Sequence, residues 1–229
     1  MNKIIVANMK MNLNYNDIND YLNSLENKKI DNIVFCPTSI YIPYFIDKKL
    51  NVGIQNISEY ENGNHTGQIS GEQAKSIGVK YTIIGHSEIK ESKETINKKI
   101  KICKKNNLIP ILCVGERKQT IYKEHIIKKQ LNSYLKDITM DKIIIAYEPA
   151  FMINSKNTID VKQLQKTINF IKKITKNYKI NDIIILYGGS IDENNLKSIK
   201  NIEGLDGYLI GNSSLNIKEF LELIEVTEF

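Results

Sequence analysis

The chain has 229 residues, is 41% hydrophobic and 25% charged, and carries a formal charge of +6, the profile of an ordinary globular protein with room for one large domain or two small ones. Arg117 is its only arginine, and the lysines are spread over helix-like segments beside Glu and Asp, which argues against a nucleic-acid binder, because such proteins concentrate positive charge and use Arg for bidentate contacts. No apolar run is long enough to span a membrane and no presequence pattern follows Met1, so a cytoplasmic address is expected.

Apolar runs and helix-like patterns alternate from the N-terminus. Strands are predicted at 4–8, 33–36, 51–56, 81–85, 109–114, 143–148, 183–187 and 207–210. Helices are predicted at 16–27, 38–49, 71–77, 92–106, 123–136, 160–178, 192–200 and 216–225. Asp160 with Gln163 reads as a cap for the sixth helix, and Ser92 opens the fourth. The prolines, at 37, 43, 110 and 149, all fall at element ends or starts. Eight uninterrupted strand–helix units predict a single-domain α/β (β/α)8 TIM barrel over 1–229. A doubly wound open sheet competes, but the early glycine-rich dinucleotide loop that would favour it is absent. Cys36, Cys103 and Cys113 are odd in number without C-x-x-C spacing, and His65, His86 and His125 are scattered. Neither a disulfide framework nor a zinc site is expected from them.

On either fold, polar residues at the carboxyl ends of strands are the candidates for chemistry. The first strand ends Ala7-Asn8-Met9-Lys10, which places an ammonium at the mouth unless Lys10 merely snorkels along the surface. The fourth ends Gly85-His86-Ser87-Glu88. His86 is either a satisfied core residue or an imidazole kept neutral by amides of a turn starting at Ser87. The sixth ends Ile145-Ala146-Tyr147-Glu148-Pro149, where proline stops the ladder and leaves a partly desolvated carboxylate at the lip, or one paired with a lysine. A lysine, a histidine and a glutamate on three strand ends suit proton transfer beside a carbonyl. The seventh and eighth strands end Tyr187-Gly188-Gly189-Ser190 and Ile210-Gly211-Asn212-Ser213-Ser214. Small residues there let backbone N–H groups face a phosphate, where barrels commonly hold one.

Asn8-Met9-Lys10-Met11-Asn12, Gln55-Asn56, Thr66-Gly67, Ile84-Gly85-His86-Ser87-Glu88, Cys113-Val114-Gly115-Glu116, Ala146-Tyr147-Glu148-Pro149, Tyr187-Gly188-Gly189-Ser190 and Gly207-Tyr208-Leu209-Ile210-Gly211 occur in this order. With them the chain resembles the triosephosphate isomerase family over nearly its whole length. The resemblance implies a glycolytic and gluconeogenic isomerase that interconverts dihydroxyacetone phosphate and D-glyceraldehyde 3-phosphate through an enediol(ate), without metal or organic cofactor. Glu148 would shuttle the proton, neutral His86 would serve the oxygens and Lys10 would stabilise the negative charge. Asn8 would position the ligand and Glu88 would support the site. Ser190, Gly211 and the amide of Asn212 would hold the phosphate, with Asn154 offering a further amide from the lid. The resemblance also implies a homodimer, in which the loop at about 57–70 carries Thr66 toward Asn8 of the partner subunit.

The chain departs from the family pattern in places. The lid, ordinarily Val-Trp-Ala-Ile-Gly-Thr-Gly-Lys, reads Ala150-Phe151-Met152-Ile153-Asn154-Ser155-Lys156-Asn157, without either glycine or the tryptophan. Asn212 replaces a second glycine, His65 and Gln68 replace a Phe and a Glu, and Ile89 and Lys90 replace an arginine pair. The chain is also short between strands five and six. The altered lid and Asn212 leave open a catalytically impaired sugar-phosphate binder. A Schiff-base aldolase using Lys10 is a third reading.

Overall fold

The computed structural model describes residues 3–152 and 160–228. Eight parallel strands close on themselves in sequence order, β1 (Ile4–Asn8), β2 (Ile33–Cys36), β3 (Asn51–Ile54), β4 (Tyr81–Ile84), β5 (Ile109–Val114), β6 (Thr139–Tyr147), β7 (Lys179–Tyr187) and β8 (Gly207–Ile210). Register runs continuously around the ring, from Val6 opposite Val34 to Val6 opposite Leu209. The eight helices are α1 (Tyr15–Ser24), α2 (Ile42–Asp47), α3 (Gly71–Ser76), α4 (Lys93–Lys105), α5 (Lys123–Tyr134), α6 (Val161–Thr175), α7 (Glu193–Ile199) and α8 (Ile217–Glu228). The fold is the expected single-domain TIM barrel.

The unalternating apolar strands have their physical reason in two separate cores. Val6, Val34, Ile83, Ile111, Ile144, Leu186 and Leu209 fill the lumen. Their sequence neighbours, such as Ile5, Phe35, Ile84, Ile143, Ile145 and Ile210, pack outward against the helices. Within the barrel both faces of these runs are dry, so both parities must be apolar. Helix starts follow the cap chemistry. The Asp160 side chain accepts from Gln163 N at 3.0 Å, and Ser92 Oγ accepts from Thr95 N at 3.0 Å.

The expected boundaries differ most at three places. β6 and β7 each begin four residues before the apolar run, and Thr139 pairs with Lys179 and Lys142 with Asp182. This polar ribbon is held by its ladder and by the 2.8 Å Lys142–Asp182 ion pair, so hydrophobicity did not mark it. The helix expected at 38–49 is a 3-10 turn at Ser39–Tyr41 followed by α2, whose first turn contains Pro43. A proline lacks the N–H that a continuous helix would need there.

Candidate active site

Strand parity delivers the chemistry to one place. The lumen-facing series runs through Val6 on β1, Ile144 and Ala146 on β6, Leu186 on β7 and Leu209 on β8. Continued past the strand ends with a period of two, it reaches Asn8 and Lys10, Glu148, Gly188 and Gly211. Distances agree. A Cβ on Gly188 would lie 2.8 Å from Glu148 Cγ, and one on Gly211 would lie 3.3 Å from Lys10 Cε. All five residues, with His86, Ser190 and Asn212, line a single cavity of about 280 Å³ at the carboxyl end of the barrel. Asn8, His86 and Glu148 are each about 5% exposed.

The end of β6 is fixed by the loop after β5. Glu148 N donates to Val114 O at 2.8 Å and Ala150 N donates to Glu116 O at 2.9 Å. Gly115, at φ 158°, makes this approach possible, since a Cβ there would meet Glu148 O at 2.1 Å. The Glu148 carboxylate places Oε1 3.3 Å from His86 Nε2, while among the described residues Oε2 has no hydrogen-bond partner. A buried carboxylate oxygen without a donor is costly.

His86 sits in a turn rather than a helix, closed by Ile89 N donating to His86 O at 2.9 Å. The expected amide is nevertheless present, because Glu88 N donates to His86 Nδ1 at 3.3 Å. An Nδ1 that accepts carries no proton, which assigns the hydrogen of the neutral ring to Nε2, facing Glu148. Charge acts in the other direction. Burial disfavours the imidazolium, but the hydrogen bond to Glu148 and the charges of Glu148 and Glu88 outweigh it, and the ring's pKa is raised from its ordinary 6.5. The amide contact favours the neutral ring and the two carboxylates favour the protonated one, and the balance leaves His86 more easily protonated than a free imidazole.

Lys10 Nζ pairs with Glu88 Oε1 at 2.6 Å, with Glu88 half exposed at the rim. Its backbone is in the left-handed region, φ 54°, which a side chain adopts only at a cost. Several bonds hold it there. Lys10 N donates to Asn8 Oδ1 at 3.2 Å, and Lys10 O accepts from Thr38 Oγ1 at 3.0 Å and Gln55 Nε2 at 2.8 Å. Ser190, Gly211 and Asn212 line the same cavity, together with Gly189 and Ser213. Asn154 lies outside the described residues.

Five further residues shape the site without having been singled out as site residues. Gly188 leaves room for Glu148, Cys113 lies against it, Thr38 and Gln55 clamp Lys10, and Ser213 ties the two glycine-bearing loops. Only strand parity could have flagged Gly188 and Cys113. Burial, followed by the charge of Glu148 and a hydrogen bond to it, pushes the Cys113 thiol well above its ordinary value. A larger cavity of about 710 Å³ lies where the heads of α5 and α6 meet the end of β6, but it contains none of Lys10, His86 and Glu148, so size does not locate the chemistry. Among the described residues no group of three or more His, Cys, Asp or Glu side chains is arranged to hold a metal, and no helix is long and apolar enough to cross a membrane.

Residues 3–227 match the family model for triosephosphate isomerase. The chain is similar to the triosephosphate isomerase of Buchnera aphidicola subsp. Cinara cedri, with 39% identity and 98% of each chain covered. It is 37% identical to that of Wigglesworthia glossinidia brevipalpis, covering 98% of this chain and 96% of the other. With that of Mycoplasmopsis pulmonis it shares 35% identity over 96% of each. A chain that matches along its whole length, folds into the same barrel and gathers a lysine, a histidine and a glutamate in its mouth belongs to the triosephosphate isomerase family, and its activity is the glycolytic interconversion of the two triose phosphates.

Proposed function

We propose that Glu148 is the base of this isomerisation, His86 the group that serves the substrate oxygens, and Lys10 the fixed positive charge. The best support is the 3.3 Å approach of carboxylate and imidazole in a cavity also lined by the two glycine-bearing loops. Glu148 takes a proton from C1 of dihydroxyacetone phosphate, and the electron pair left behind forms the C1=C2 bond as the C2 carbonyl oxygen becomes anionic. His86 gives its Nε2 proton to that oxygen and receives the proton of the C1 hydroxyl. As the C1 carbonyl forms, Glu148 returns its proton to C2, so both side chains end as they began. Lys10 stabilises the oxygen charge while it lasts, Glu88 orients Lys10, and Asn8 positions the ligand. Ser190, Gly211 and Asn212 hold the phosphate. A positioned base contributes about 10²–10⁴-fold and each preorganised donor about 10²–10³-fold. Lys10 in a 2.6 Å ion pair is a fixed charge rather than a free amine, which tells against the Schiff-base reading. A cytoplasmic location fits the glycolytic role.

The test is Glu148→Gln in a coupled assay with glyceraldehyde 3-phosphate. It should lower kcat by about 10²–10⁴-fold and leave inhibition by inorganic phosphate within a few fold of wild type. A variant that keeps the wild-type rate would remove Glu148 from the chemistry.

We also propose a homodimer. The loops after the adjacent strands β1, β2 and β3 expose Met11 (91%), Ile40 (70%) and Tyr60 (43%), apolar side chains that a partner subunit would cover. The loop at 57–70 is preformed. Ser58 N donates to Ile69 O at 2.8 Å, Ser58 Oγ bonds Gln68 Oε1 at 2.5 Å, and His65 stacks on Tyr60 at 3.9 Å. Its exposed tip carries Thr66, and a second copy of the chain is the occupant we assign to this loop and the exposed apolar side chains after β1 and β2.

A further inference from the structure

Each peptide of a phosphate-holding loop offers both an N–H and a C=O, and only the N–H attracts an anion. In the turn after β7 the two kinds of group are sorted. Among the described residues the N–H groups of Ser190 and Ile191 have no acceptor. The carbonyls of the same two residues are both taken. Asn195 Nδ2 donates to Ser190 O at 2.8 Å, and Ser213 Oγ donates to Ile191 O at 2.7 Å. Asn195 is itself fixed by the cap of α7, its Oδ1 accepting from Asp192 N at 3.1 Å. Ser213 belongs to the 3-10 turn after β8, so its bond crosses from one glycine-bearing loop to the other.

We propose that Ser213 is a positioning residue for the phosphate. Its hydroxyl holds the Ile191 carbonyl away from the anion and sets the spacing between the loops after β7 and β8. The proposal rests on the triose-phosphate reading of this cavity. A carbonyl oxygen turned toward a phosphate oxygen would bring two negative partial charges together. Ser213 Oγ bonds a backbone carbonyl and no proton-moving group, so its loss falls on phosphate affinity.

Three proteins test this: wild type, Ser213→Ala and Ser213→Thr, each measured for kcat, for KM with glyceraldehyde 3-phosphate and for the inhibition constant of inorganic phosphate. Removing one net hydrogen bond should raise both KM and the phosphate inhibition constant of Ser213→Ala by about 3- to 10-fold, with kcat within about twofold. Ser213→Thr, which keeps the hydroxyl, should restore both constants. If wild type turns over and is inhibited by phosphate while Ser213→Ala matches it, the proposal fails and the site reading stands. A fall in kcat at constant KM, or a Thr variant that behaves like Ala, also overturns it. Wild type that neither turns over nor responds to phosphate would overturn the site reading and this proposal together.

Discussion

Replacing Gly188 by alanine is the sharpest probe of how tightly the carboxylate is held. Tyr147 and Tyr187 are the last ladder pair of β6 and β7, so Glu148 and Gly188 leave the sheet side by side. A methyl at 188 would lie 2.8 Å from Glu148 Cγ, 3.2 Å from its Oε1 and 3.3 Å from Leu209 Cβ. Ordinary contact begins at 3.4 Å, so the carboxylate arm must retreat by about 0.6 Å. It has little room, because the Glu148 side chain is 4% exposed and His86 Nε2 stands 3.3 Å from Oε1. Misplacing a reacting group by about 1 Å costs about 10²-fold, so if Glu148 is the proposed base a shift of this size is expected to cost about 10-fold in kcat. Overpacking should destabilise the fold by about 1–3 kcal/mol, or roughly 2–12 °C in melting temperature for a chain of this length. Steady-state kinetics in the coupled assay and melting followed by circular dichroism give both numbers. A variant that melts earlier yet keeps kcat within about twofold of wild type would refute the reasoning, because the crowded carboxylate would then not need its observed position.

Two other outcomes follow from the same geometry. The folded chain holds the His86 proton more tightly than the unfolded chain does. Its contribution to stability is therefore fully present below 6.5 and fades as pH rises through the folded value. The stability gap between wild type and His86→Gln should narrow as urea titrations move from about pH 5.5 to about pH 8.5, and parallel pH curves would contradict it. Met11→Glu places a charge at a 91% exposed methionine and should leave the barrel folded but monomeric in sedimentation, whereas a wild type that is already monomeric would remove the dimer proposal.

Most of the fold was legible because a parallel barrel imposes a simple demand on sequence. Strands covered on both faces must be apolar at both parities, and Ile143-Ile144-Ile145-Ala146 could be read from that alone. The polar starts of β6 and β7 were not legible, since Thr139, Lys142, Lys179 and Asp182 are held by ladder pairing and one ion pair rather than by burial. The charged site residues were legible for the same reason in reverse: Lys10 and Glu148 each follow a dry strand. The residues that hold them in place were not. Gln55 ties two backbone carbonyls, Lys10 O at 2.8 Å and Cys36 O at 2.9 Å, and such partners are a matter of loop geometry that spacing along the chain does not encode. Ser213 looked like one more small residue in a turn, and its neighbour Ile191 becomes visible only when the loops after β7 and β8 are seen together.

The support given to Lys10 shows where the precision of the site comes from. A left-handed backbone at a lysine is unfavourable by about 1–2 kcal/mol, and a free loop would relax out of it. Here the Asn8, Thr38 and Gln55 side chains bond that backbone from β1 and the loops after β2 and β3. The ammonium is therefore aimed by three elements that do no chemistry of their own. Glu148 is placed in the same manner, by Val114, Gly115 and Glu116 after β5 and by the gap at Gly188 after β7. Glu148 is thus positioned by the strands on either side of its own, whereas Lys10 is held by its own strand and by the loops of the next two. A closed ring is the architecture that gives every strand two such neighbours, whereas an edge strand of an open sheet would hold its reacting group from one side only.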